Sequence, residues 1–237
     1  MAHVKSLRAD LWQARCAVLG ILALQWLVQG QLHLAGRRVW LISALELTLL
    51  LCLTFTTERH VRRAQPAQGA ALRFIEGEGG LVRVLALIMI GTVSVINLVS
   101  LVRLIMTLLT TNGAKAQILL ADALILFATN VIVSSLWYWE LDRGGVFRRH
   151  STHPGKADFL FPQMTLDAEI SKQYVSGHWC PHFADYLYVA FTNATAFSPT
   201  DVLPLTRPAK LLMAIQAGVS LLTIAFVAAR AVNILAT

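Results

Sequence analysis

The sequence predicts an all-α fold: a polytopic transmembrane helix bundle of about five spanning helices, with one re-entrant half-helix before the last span. Three observations predict it. Of 237 residues, 56% are hydrophobic and 14% charged, and the mean hydropathy is +0.61, well outside the soluble range. The apolar residues gather into five long runs, comparable with the roughly 20 residues that cross a hydrocarbon core about 30 Å thick. A sixth apolar stretch, Tyr186 to Ala196, is too short to cross and is followed by a polar hairpin ending at Asp201, so it can only dip in and turn back. Such an element is tolerated at membrane depth where protein or a water-filled cavity satisfies its backbone.

The first run, about Arg15 to Leu34, ends in the turn Ala35-Gly36-Arg37-Arg38, and the second spans about Trp40 to Thr57. The residues before the first run lack the short apolar core and small-residue cleavage pattern of a signal peptide, so this run is expected to stay as a span. A connection rich in Arg, Gln and Gly, Glu58 to Gly80, leads to the third run, about Leu81 to Leu109. Asn112-Gly113 then marks a tight break, because this pair readily takes positive φ. The fourth run, about Gln117 to Trp139, ends in Trp137-Tyr138-Trp139, aromatic residues of the kind that anchor helices at the lipid interface. Glu140 to Phe183 is polar, interrupted by Gly and Pro, and reads as a long extramembrane loop. The fifth run, about Lys210 to Leu235, carries Ala217, Gly218 and Ser220, small side chains suited to close helix packing.

Composition also excludes function classes. A net charge of +7 would suggest nucleic acid in a soluble protein, but the basic residues here sit mostly between apolar runs, where anionic lipid headgroups are the simpler partner. No nucleic-acid partner is expected. Cys16, Cys52 and Cys180 form no close-spaced pair, so no disulfide framework is indicated. No phosphate loop, Ser-His-Asp arrangement or zinc-protease helix appears, and neither an enzyme nor a cofactor is predicted. His178, Cys180 and His182, with His150 and His153, have ligand types that suit zinc but none of the familiar spacings; an interfacial loop is the reading adopted, with no metal site.

The order of helix, short helix, turn, Asp201, Pro204, Thr206, Lys210 and final helix resembles the pore module of tetrameric potassium-type channels. In that family a pore helix ends in a Thr-Val-Gly-Tyr-Gly-Asp filter, followed by Pro, Thr and a basic residue at the start of the lining helix. Here Ala194-Thr195 stands at the end of the short helix, and Ala196-Phe197-Ser198-Pro199-Thr200 replaces the five filter residues without either glycine. Filter carbonyls point at an ion only where alternate residues reach left-handed angles, which Pro199 cannot adopt. The whole chain is also similar to an uncharacterised group of bacterial integral membrane proteins with such a degenerate pore-like end, which implies a multi-pass protein of the bacterial plasma membrane.

The resemblance implies two parts: three membrane helices in residues 1–112, and a pore-like module in residues 113–237. It implies a constriction formed by Thr195, Ala196, Phe197, Ser198, Pro199, Thr200 and Asp201, conduction of monovalent cations, and a homo-oligomer, tetrameric by analogy. A non-conducting membrane scaffold or small-solute carrier that keeps the pore-like fold is the alternative reading. Orientation divides the two. With five spans, Lys5, Arg8, Arg59, Arg62, Arg63 and Arg73 share one side with the long loop, against Arg37, Arg38 and Lys115 opposite, so the positive-inside rule puts the hairpin in the cytoplasm. A potassium channel needs it outside.

Among the ionisable residues that fall within apolar runs, where charge is costly and usually paired or functional, Glu46, Arg103 and Asp122 stand out. A helical hairpin across Asn112-Gly113 would bring Arg103 and Asp122 to similar depth, and a structural ion pair is expected there. Glu46 stands alone near the middle of the second run, with Gln25 or Gln29 of the first as candidate partners.

Overall fold

The hub of the molecule is its most apolar helix, Ala116–Leu141, against which four other helical elements pack. The computed structural model describes residues 2–31, 47–48, 50–52, 54–59, 70–110, 116–149, 155–167, 169–170, 179–196 and 201–235. In chain order the main helices are α1 (Ala2–Gln31), α2 (Ala70–Thr110), α3 (Ala116–Leu141), α4 (Phe183–Ala196) and α5 (Arg207–Leu235). Two short strands, β1 (Phe159–Leu160) and β2 (Leu203–Pro204), pair antiparallel, Phe159 opposite Pro204 and Leu160 opposite Leu203. The residues described within 47–59 are helical, and Arg15 of α1 reaches towards the Thr54 carbonyl.

Among the described residues, three helices are long and apolar enough to cross a membrane: Val82–Thr107, Leu120–Gly144 and Arg207–Ala229. These mark the chain as a membrane protein and account for three of the five expected spans. α1 takes in most of the first expected run, whose remainder after Gln31 lies outside the described residues. Half of the second run, Glu46 included, lies outside the described residues.

α2 begins 11 residues before the expected Leu81, taking in a stretch read from its glycines as a connection. Ala, Leu, Arg and Glu there are good helix formers, and extending an existing helix costs far less than nucleating one. Three of its hydroxyls are satisfied locally: Thr92, Ser94 and Thr107 each donate to the carbonyl four residues back, at 2.7–2.9 Å.

α3 is covered on most sides along its second half, so that Val131, Val133, Leu136, Tyr138 and Trp139 are all buried. Being apolar all round suits such a position. α4 and α5 are one-sided. On α4 the buried set Tyr186, Val189, Ala190, Asn193 and Ala194 follows the 3-4 spacing of a single helical face, while Tyr188, Phe191 and Thr195 are exposed. On α5 the buried stripe is Ala209, Met213, Gln216, Ser220 and Thr223. Of the three small residues expected to pack, only Ser220 lies on it; Ala217 is half-buried and Gly218 is exposed, with open space where a Cβ would stand.

Candidate functional site

The described parts of the long polar loop form a folded latch. At the end of α3 the chain turns through Arg143, Gly144 and Gly145 at positive φ, enters the single helical turn Val146–Arg149, and later returns as β1. Two glycines are required here: Gly145, packed against the Glu140 side chain, has φ +98°, which other residues rarely adopt, and a Cβ at Gly155 would stand 2.6 Å from the Arg143 carbonyl oxygen. These close approaches hold Asp142, fully buried, against the returning strand.

Asp142 Oδ1 accepts from the backbone N–H of Asp158 at 2.7 Å, and its Oδ2 accepts from the Tyr186 hydroxyl at 2.5 Å. Arg149, with a fully buried side chain, donates to the Trp139 carbonyl and to the Tyr186 hydroxyl, both at 3.0 Å, and lies 3.9 Å from Asp142 Oδ2. Its guanidinium also sits over the Tyr186 ring, 5.1 Å from the centroid. Asp158 carries the latch onward to α5, accepting from the Thr206 hydroxyl at 2.6 Å and, through its carbonyl, from Leu205 N–H at 2.8 Å. Phe159, Phe161, Tyr138 and Tyr186 fill the space behind as tilted and edge-to-face rings, with centroids 5.2–6.2 Å apart. The latch therefore fixes the end of α3 and the starts of α4 and α5 at one end of the bundle.

α4 runs inward from that end between α3 and α5. Asn193, two turns beyond Tyr186, donates to Gln216 Oε1 at 2.9 Å and to the Met213 carbonyl at 3.0 Å. Gln216 also accepts from the Tyr138 hydroxyl, and its own amide donates to the Ala190 carbonyl at 2.7 Å. Deeper still, Asn130 donates to Ser220 at 3.0 Å. Among the described residues this layer joins α3, α4 and α5 by neutral groups alone.

α4 has 14 residues and is about 21 Å long. Beyond its end the chain comes back: Asp201 accepts from the hydroxyl of Tyr188, in the second turn of α4, at 3.2 Å. Thr195 is exposed and its hydroxyl donates to the Phe191 carbonyl at 2.9 Å. Ala196 is the last residue of the helix, while Phe197, Ser198, Pro199 and Thr200 lie outside the described residues.

The expected ion pair between Arg103 and Asp122 does not form. Asp122 is fully buried with neither carboxyl oxygen partnered among the described residues, while Arg103 is exposed. The reason is helical phase: Leu104, one residue further along α2, faces α3 and packs beside Ala123 and Leu126, leaving Arg103 turned about 100° away. Of the loop ligand types, His182 is held 2.7 Å from buried Asp10 of α1, and burial pushes the Cys180 thiol up. His150, His153 and His178 lie outside the described residues.

Sequence reasoning missed Asp142, Arg149, Tyr138 and Gln216. The one available signal was Gly144-Gly145 directly after a helix, next to oppositely charged residues. The fold and site together define a helical membrane protein organised around a short inward helix. Comparison with protein-family models, with curated proteins and with solved structures finds no match to the chain.

Proposed function

We propose that residues 113–237 form a channel-like pore module, in which α4 is a re-entrant half-helix, residues 195–201 form the constriction, and α5 lines the path. The observation that carries this reading is the return of the chain to its starting end: α4 leaves the latch beside Asp142, and Asp201 lies back against Tyr188. Five residues, 197–201, can reach about 17 Å when extended, enough to run back along the roughly 12 Å from Ala196 to Tyr188. One hairpin per chain makes a closed path only in a cyclic oligomer. Ala214, Gly218 and Ala225 form an exposed small-residue stripe on α5 that suits such packing in lipid. The Asp201 carboxylate at the mouth favours cations, because a narrow low-dielectric opening focuses its field.

A second reading, a non-conducting scaffold or small-solute carrier with the same fold, draws on one observation. The polar groups of the layer, Asn193 and Gln216 above all, are turned to one another, and the Thr195 hydroxyl is bonded to its own helix. Recording from purified protein in planar bilayers separates the two. Unitary cation currents that change with Ser198→Ala or Thr200→Ala support the pore; silence in sodium, potassium and chloride solutions, from protein of verified oligomeric state, supports the scaffold.

A further inference from the structure

We propose that a groove between α2, α3 and α5 binds the hydroxyl of a lipid-soluble alcohol that enters sideways from the bilayer. α3 packs against both other helices, whereas α2 and α5 barely touch, and the wedge between them encloses about 180 Å³. That equals roughly six water molecules' share of liquid. Its floor lies near the middle of all three candidate spans, at Asn97, Asn130 and Val219. Most of its polar groups are already engaged: Trp137 donates to Ser94 at 2.9 Å, Ser94 to the Ile90 carbonyl at 2.7 Å, and Asn130 to Ser220 at 3.0 Å.

Asn97 is the exception. It is 6% exposed, its carbonyl oxygen is buried without a partner, and its amide makes no hydrogen bond among the described residues. The Ser134 hydroxyl beside the groove makes none either among those residues. An unmet amide at membrane depth is costly, and no water is available there from the lipid side. A hydroxyl both donates and accepts, so it is the smallest single group that satisfies an amide. The groove's lining includes no ionisable side chain except Tyr138, whose hydroxyl is engaged with Gln216, which disfavours charged ligands. The walls are apolar, and two of them, Leu98 and Ile215, are 52% and 54% exposed, so the mouth opens where lipid tails lie. Asn97, with the Ser134 hydroxyl near it, inside a cleft with an apolar mouth fits an amphiphile with a single hydroxyl. This inference does not depend on conduction.

The test is photolabelling of the full chain in phosphatidylcholine vesicles with 3-azioctanol, with n-octanol as competitor and the matching diazirine alkane as control. The expected result is saturable labelling at Leu98, Val133 or Ile215, displaced by octanol, and reduced about fivefold in Asn97→Leu, as loss of one hydrogen bond implies. Ile215→Trp, which fills the mouth from its exposed rim without touching the interior layer, should abolish labelling even if Asn97→Leu folds poorly. Three results would overturn the proposal: non-saturable labelling shared with lipid-facing Val84 and Leu124, equal labelling by the alkane, or crosslinks joining two copies through the groove.

Discussion

The latch at the end of α3 and the polar layer inside the bundle handle buried polarity in different ways. At the latch, a fully buried Asp142 and Arg149 face each other, and the carboxylate is surrounded by donors from the loop, α4 and the helical turn after α3. One to three helical turns further in, Tyr138, Asn193, Gln216, Asn130 and Ser220 do the joining with amides and hydroxyls only. Desolvating a charge costs several kcal/mol even when it is paired, while a neutral hydrogen bond is nearly balanced. The charged network therefore sits where the helix meets its loop, and the neutral one lies where the surroundings are driest.

That contrast can be broken by mutation. Asp142→Ala should have the largest effect, about 3–5 kcal/mol, because it leaves Arg149 as an uncompensated buried charge. Thermal unfolding in mild detergent measures it, and a loss under about 1 kcal/mol would mean that water reaches the latch. Gln216→Leu should cost less, about 1–3 kcal/mol, through the partners it strands on Ala190 and Asn193. If the two variants are equally damaging, charge does not distinguish the two networks. Asp201→Asn keeps an acceptor for the Tyr188 hydroxyl but removes the charge that strengthens this exposed hydrogen bond, and should cost under about 1 kcal/mol of protomer stability. Under the pore reading it should also lower cation conductance and weaken the oligomer, whereas wild-type behaviour in Asp201→Asn and Asp201→Ala alike would reduce it to a solvated loop acid. Smallest of all, a double-mutant cycle between Arg103→Leu and Asp122→Asn should give a coupling within about 0.5 kcal/mol. A coupling well above that would restore the ion pair that helical phase argues against.

Much of the bundle could be read from residue order, because α3 and α5 are marked by long apolar runs and α4 by a run too short to cross. What could not be read depends on phase and on tertiary return. Arg103 and Asp122 look paired by depth, yet depth along a helix says nothing of rotation about it, and one residue separates the buried Leu104 from the exposed Arg103. The small residues of α5 suggested where it packs, but its contact stripe is set by Met213 and Gln216, whose partners lie 20 and 23 residues away at Asn193. Asp142 and Arg149 looked like ordinary loop charges. Only the approach of β1 and Tyr186, 16 to 44 residues on, makes them a buried pair.

Under the pore reading, α4 enters the membrane from the latch end and the chain returns to the same end before α5 begins. One-sided thiol labelling in oriented vesicles tests it most directly, using a background in which Cys16, Cys52 and Cys180 are replaced and single cysteines stand at Lys156, Arg207 or Ala229. The account predicts that an impermeant maleimide reaches positions 156 and 207 from the same face, and 229 only from the other. Labelling of 156 and 207 from opposite faces would mean that the segment around α4 crosses the membrane, and would contradict it.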